Sequence, residues 1–288
     1  MATIASLKQE LESTKSLGDI IEVLKVAALM QFHAFQLKEG RPKPDFLNIA
    51  EDIFNILLSK GVEHPFLFDR KTLPTLIIAI TSDEGFLGDL NMMAVNTSVN
   101  LVKSPQDEVL VLGRRGVRYL EETDVSYKSF PGITSEISFN EVSIIKEYIL
   151  KGYRKKFGRV HIVYPKFISL AVQRIDKIAL LPYQRKETLK IPRGFFIDEM
   201  LVEPHSDSAI EMLMDLFMGF KLLEIFWMSK RSEYAARIMH LEGSTQELSV
   251  LNQQISFNYF RQEHALKDKS IREISASKAL SGKRNYGK

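Results

Sequence analysis

The chain of 288 residues contains no cysteine. Disulfides, thiolate nucleophiles and Cys-ligated zinc are excluded together, and the absence fits a reducing compartment. A large charge of one sign is also missing. Lys and Arg number 39 and Asp and Glu 36, for a net charge of +3, too even for a dedicated nucleic-acid binder. Uninterrupted apolar runs such as Leu76 to Ile80 are short; none reaches the roughly 20 residues that cross a bilayer. The first residues, MATIASLKQELESTK, lack the apolar stretch of a secretory signal. Membrane contact is therefore expected only through partners. Disorder over most of the chain is excluded by a hydrophobic share of 45%.

Proline is absent from both ends. All ten prolines lie between Pro42 and Pro204. A proline costs about 3 kcal/mol inside a helix, so its absence over the first 41 and last 84 residues invites long helices. Toward the C-terminus Ile210, Leu213, Phe217, Phe220, Leu223, Phe226 and Trp227 keep helical spacing. Ile238, Leu241, Leu248, Ile255 and Tyr259 continue it with Thr245 and Asn252 as polar entries, an imperfect heptad seam. Asp207 and its serine neighbours suit a helix start. A helix from about 206 to 280 would be roughly 110 Å long, too long for one small core to bury. The N-terminal stripe Ile4, Leu7, Leu11, Leu17, Ile21, Leu24, Ala28, Phe32 and Phe35 supplies a partner, and it stops at Glu39-Gly-Arg-Pro-Lys-Pro44. A second helical stretch covers Phe46 to Leu58.

Between these ends the pattern changes. Thr75–Thr81, Glu108–Leu112, Arg159–Tyr164 and Gln173–Leu181 read as buried strands, and residues 88–103, 114–122 and 139–157 between them as helices. That alternation predicts an α/β sheet inserted between two terminal helices. Residues 184–203 read as a linker before the last helix.

No catalytic constellation stands out. The histidines, at 33, 64, 161, 205, 240 and 264, have no i, i+4 pair and no HExxH. GxSxG and GxxxxGK[ST] are absent. Gly85-Phe-Leu-Gly88 follows the first strand, but Asp83, Glu84 and Asp89 surround it with charge that repels phosphate. Gly113-Arg-Arg-Gly116 follows the second strand and reads as a solvated turn. Residues 261–288 carry eight Lys and Arg against three Asp and Glu, suited to a helix C-terminus or to an acidic partner surface. No cofactor and no metal are expected.

Four stretches resemble the gamma subunit of F-type ATP synthases. Ser82-Asp-Glu-Gly-Phe-Leu-Gly-Asp-Leu-Asn91 is similar to that family's T-D-R-G-L-C-G-G-L-N. Leu112-Gly-Arg-Arg-Gly116 is similar to I-G-x-K-G. Ser232-Glu-Tyr-Ala-Ala-Arg-Ile-Met239 is close to S-E-x-A-A-R-M-x-A-M. Asn258, Arg261 and Gln262 match N-x-x-R-Q. Residues 20–28 are a weaker echo of I-T-K-A-M-x-M-V-A-A. Departures mark a divergent member: Glu84 stands where the family has Arg, Leu87-Gly88-Asp89 where it has Cys-Gly-Gly, and Ala265–Lys269 where it has I-T-x-E-L.

The resemblance implies a Rossmann-like α/β domain over 72–203. Residues 1–60, broken near 40–44, and 204–288 would form an antiparallel coiled coil. It implies a rotor axle that catalyses nothing itself. The axle would turn inside a ring of alpha and beta subunits and couple ion flow through the membrane sector to nucleotide turnover there. An epsilon-type small subunit and a membrane ring of c subunits would be further partners, on the cytoplasmic face of an energy-transducing membrane. Arg261, Gln262, Leu24 and Lys25 would contact the catalytic ring. Ser232, Glu233, Ala235, Ala236, Arg237 and Asn258 would carry the axle motif, and Asp83, Gly85, Gly88 and Asn91 the turn motif. The departures leave open the axle of a repurposed F-like ATPase not engaged in ATP synthesis. Two other classes stay open on the residues alone: a nucleotide-binding enzyme, which leaves the long helices unexplained, and an unrelated coiled-coil scaffold, which leaves the motifs unexplained.

Overall fold

Continuous apolar runs need cover on both faces, and helices on each side of the sheet supply it. The computed structural model describes residues 3–39, 45–184 and 206–284. In chain order the elements are α1 (Ile4–Glu39), α2 (Phe46–Ser59), β1 (Thr75–Ile80), α3 (Leu90–Val99), β2 (Glu108–Leu112), α4 (Arg114–Leu120), β3 (Tyr127–Phe130), α5 (Phe139–Lys155), β4 (Arg159–Phe167), β5 (Gln173–Leu181) and α6 (Ser206–Arg284). The predicted linker lies outside the described residues apart from Gln184.

The five strands are ordered β3-β2-β1-β4-β5. β1 pairs in parallel with β2 and β4, and β2 with β3. β5 returns antiparallel along β4. Side chains alternate across the sheet with period two. On one face Leu76, Ile78, Ile80, Leu110 and Ile162 pack with Phe54 of α2, Ile149 and Tyr153 of α5, and Met214, Met218 and Leu222 of α6. On the other, Ile77, Ala79, Val109, Val111 and Val163 pack with Val95 of α3 and Leu120 of α4. Four strands were legible in the sequence, but β5, expected to be buried, is an edge strand buried only at Leu180 and Leu181. β3 was not legible, because its sequence Tyr-Lys-Ser-Phe is half exposed and carries no run. The helix expected over 88–103 is shorter, Leu90–Val99. α5 starts at a capping box, with the Ser138 hydroxyl accepting from the Glu141 amide and the Glu141 carboxylate from the Ser138 amide.

The chain divides into two compact units: Met1–Ala27 with His240–Lys288, and Ala28–Met239. In the first, α1 and α6 run antiparallel. Lys25 Nζ meets Glu242 Oε2 at 3.1 Å, and the Thr14 hydroxyl donates to Asn252 Oδ1. Leu7, Ile21, Leu241 and Ile255 are buried between them. Asn252 is thus a polar entry in an apolar seam that finds its partner across the pair, a device that sets register. Within Ile4–Leu37 an 18-residue stretch reaches a mean hydropathy of 1.3, apolar enough by length and composition to cross a bilayer. Run length did not reveal this because Glu22 and Lys25 interrupt the apolar residues.

At the start of β2, Glu108 is buried and accepts from Tyr148 Oη and Lys156 Nζ, both at 2.6 Å. Desolvation pushes its carboxyl up, but the hydrogen bonds from Lys156 and Tyr148 and the charges of Lys156 and Lys128 together hold it below the ordinary glutamate value. A depressed carboxylate stabilises the fold above its unfolded value and loses that contribution as pH falls through the folded one. Urea unfolding should therefore show Glu108→Gln less stable than the parent at about pH 7, with the gap narrowing as pH falls below about 4. A gap that stays constant over that range would contradict the ion-pair account.

Candidate functional site

The C-terminal ends of the parallel strands are where an α/β sheet ordinarily receives a ligand, above all where the strand order reverses. Here that point lies between β1 and β4. The turn after β1 is tied down from every side. Asp83 Oδ1 accepts from the Arg114 amide at 2.7 Å and Oδ2 from the Gly132 amide at 3.1 Å, joining the turns after β2 and β3. Asn91 Oδ1 accepts from the Ser82 amide at 3.0 Å, and the Thr81 hydroxyl donates to the Leu112 carbonyl at 2.7 Å. Gly113, at φ +110°, would place a Cβ 2.7 Å from the Thr81 carbonyl. That is why the second motif needs glycine there. Gly88 takes φ 55°, and Phe86 takes φ 62° beside it without glycine's freedom.

α6 lies in the crevice. A cavity of about 10 Å³ is lined by Thr81, Ser82, Asn91, Pro165, Lys230 and Glu233, room for about one water and no nucleotide. Arg237 reaches out of α6 to this turn. Its Nη2 stands 2.7 Å from Glu84 Oε2 and 2.9 Å from Glu233 Oε1, and its Nε donates to the Gly85 carbonyl at 3.4 Å. Lys230 Nζ meets the other Glu233 oxygen at 3.0 Å. Ser232 and Ala235 are fully buried, and Ala236 packs on Leu87 and Leu90. Tyr234, its hydroxyl pushed up to about 12 by desolvation, lies edge-on to Phe35 of α1 at 5.7 Å.

Two motifs more than 140 residues apart, Ser82–Asn91 and Ser232–Met239, thus form one site. Sequence reasoning saw each and not their contact. Glu84 was legible as a departure and as charge that repels phosphate, not as a partner of Arg237, and Lys230 was passed over, although the spacing 230, 233, 237 marks one helix stripe. Among the described residues no group of three or more His, Asp and Glu side chains is arranged to hold a metal ion.

Leu24, Lys25, Asn258, Arg261 and Gln262 belong to the paired-helix unit. Asn258 and Arg261 are exposed and Gln262 is half-buried. Leu24 faces solvent, whereas Lys25 is paired with Glu22 at 2.7 Å and with Glu242. Those bonds, from Glu22 first, hold its ammonium above the ordinary lysine value. Glu242 and Arg261 are separated along α6 by about 28 Å, so Lys25 and Arg261 lie at different levels of the pair.

The family model described as ATP synthase matches residues 3–279. The chain belongs to the ATP synthase gamma-chain family. An ATP synthase gamma chain of Geobacter metallireducens is 21% identical, covering 98% of this chain and 100% of that one, and one of Clostridium kluyveri is 26% identical over 95% and 96%. The fold is shared with a chain in the OSCP/F1/c-ring structure of the Euglena gracilis mitochondrial ATP synthase. The TM-score is 0.76 at 17% identity, covering 99% of this chain and 96% of that chain. A chain of the Tetrahymena thermophila central stalk and c-ring structure scores 0.59 at 18% identity, over 78% of this chain.

Asp83→Ala leaves two turn amides without their acceptor and should cost about 1–3 kcal/mol. Asp89→Ala, whose side chain makes no cap hydrogen bond, should cost less than about 0.5 kcal/mol. Urea unfolding of the two gamma-chain variants checks the difference, and equal losses would contradict the clamp assigned to Asp83.

Proposed function

We propose that this chain is the rotor axle of an F-type ATP synthase, a non-catalytic subunit that turns inside a ring of alpha and beta subunits. The observation that carries the reading is the apolar outside of the paired-helix unit. On α1 Leu17, Ile20, Val23 and Val26 are exposed, and on α6 Val250, Leu251, Phe257, Phe260, Leu266, Ile271 and Ile274. Residues 264–278 are exposed throughout, past the point where α1 begins. A soluble protein rarely leaves such a surface bare. A bore of other subunits would cover it.

The filled crevice supports the non-catalytic part of the reading. Where an α/β enzyme keeps its ligand, this chain keeps Lys230, Glu233 and Arg237 of its own helix. Catalysis would then belong to the ring, and the chain would act by differential contact. Each turn presents a different face to each ring subunit and shifts which nucleotide state is favoured. Arg261, Gln262 and Asn258 would meet the ring at one level of the pair, Leu24 at another. Lys25 would serve the pair itself through Glu242. The α/β domain would meet the epsilon-type subunit and the c ring, on the cytoplasmic face of the membrane.

Affinity purification of the tagged full chain from its own cells tests this. Recovery with two related nucleotide-binding subunits, each in excess over the chain, is the expected result. Phe257→Asp combined with Ile271→Asp should abolish that recovery and leave the melting temperature of the isolated chain within a few degrees, since both side chains are exposed. Recovery of the unsubstituted chain alone, or as a homodimer, would overturn the reading.

A further inference from the structure

Four charged groups from two elements converge where α6 passes the turn after β1. Lys230, Glu233 and Arg237 lie on one helix stripe, with side chains no more than 8% exposed. Removing such charges from water costs several kcal/mol per ion unless each is paired in good geometry. The pairs Lys230–Glu233 and Glu233–Arg237 lie within α6 and turn with it, whereas the contacts of Arg237 with Glu84 and the Gly85 carbonyl exist at one angular setting only. Advancing α6 by one residue turns it by about 100°. That would carry Arg237 away from the Glu84 carboxylate and the Gly85 carbonyl, and Ala236 away from the Leu87 and Leu90 side chains it packs on. The three oxygens that Arg237 engages, from Glu84, Glu233 and Gly85, suit a planar fork of donors and not a single ammonium. Next to Arg237, Tyr234 extends the contact to Phe35 of α1, which also lies 4.3 Å from the Trp227 ring.

We propose that the Lys230, Glu233 and Arg237 stripe and Glu84 form a rotational lock. Glu84 and Arg237 are positioning residues that fix the angle and register of α6 on the sheet. Turning force entering at the sheet then leaves through the helix without slip. The use of the lock rests on the axle reading; the lock itself is a property of the folded chain and can be tested on it.

The absence of cysteine makes the test direct. Spin labels on cysteines introduced at Tyr119 of α4 and Met239 of α6, which are 37% and 39% exposed, report the angle of the helix on the sheet as a distance distribution. The otherwise unsubstituted chain should give one narrow distance. Glu84→Arg, which sets a second guanidinium against Arg237, should broaden it or add a second population. Arg237→Lys should do the same to a smaller degree. Glu84→Gln keeps the side-chain shape and removes the charge, so it stands in if Glu84→Arg does not fold, and it should broaden the distance as well. Distributions in all folded variants that superimpose on the parent would overturn the lock. The measurement is made on the full chain alone, so its outcome is separate from whether ring subunits co-purify.

Discussion

An α-helix of 79 residues presents more surface than a five-stranded sheet can cover, and the organisation of this chain follows from that constraint. A helix buries its apolar stripe against another element or leaves it to a partner. Over residues 210–226 the stripe goes to the sheet, through Ile210, Met214, Met218 and Leu222. Around 241–255 it goes to the N-terminal helix, through Leu241 and Ile255. Past that, Phe257, Phe260, Ile271 and Ile274 stay exposed within the chain. The same sequence pattern is therefore satisfied in one stretch by the sheet, in the next by a helix, and in the last by nothing among the described residues.

Apolar packing alone specifies such a helix poorly, because neighbouring registers bury similar area. Polar groups inside the contacts resolve the degeneracy. In the helix pair Asn252 and Thr14 do this, and Lys25 and Glu242 do so about 15 Å further along. At the sheet the task falls to Arg237, Glu233 and Glu84. The sheet side of that contact is itself made rigid by Asp83, which joins the turns after β1, β2 and β3. Closing the crevice and fixing the helix are in this way one piece of chemistry: the charges that hold α6 at its angle also occupy the place where a phosphate would sit.

Much of this was legible from residues alone. The lack of proline at both ends marked α1 and α6, and β-branched and leucine-rich stretches marked β1, β2, β4 and β5, in the last two with polar residues interspersed. What escaped was non-local. β3 is a short, half-exposed edge strand whose identity comes from pairing with β2 and not from its own pattern. The contact of Glu84 with Arg237 spans 153 positions, and no periodicity predicts it. Leu24 was read as part of the apolar stripe, yet it is exposed, while Ile21 nearby is buried and Lys25 is paired with Glu22 and Glu242. The family motifs gave no account of the contact that joins Ser82–Asn91 to Ser232–Met239.

The claim that unites these observations is that the chain turns as a body inside a ring that hydrolyses ATP. Immobilising the ring subunits of the purified complex and attaching a bead through a cysteine introduced at the exposed Tyr119 would test it. The account predicts ATP-dependent rotation in one direction, with evenly spaced stopping positions. A bead that stays still, or wanders equally in both directions while the ring hydrolyses ATP, would contradict it.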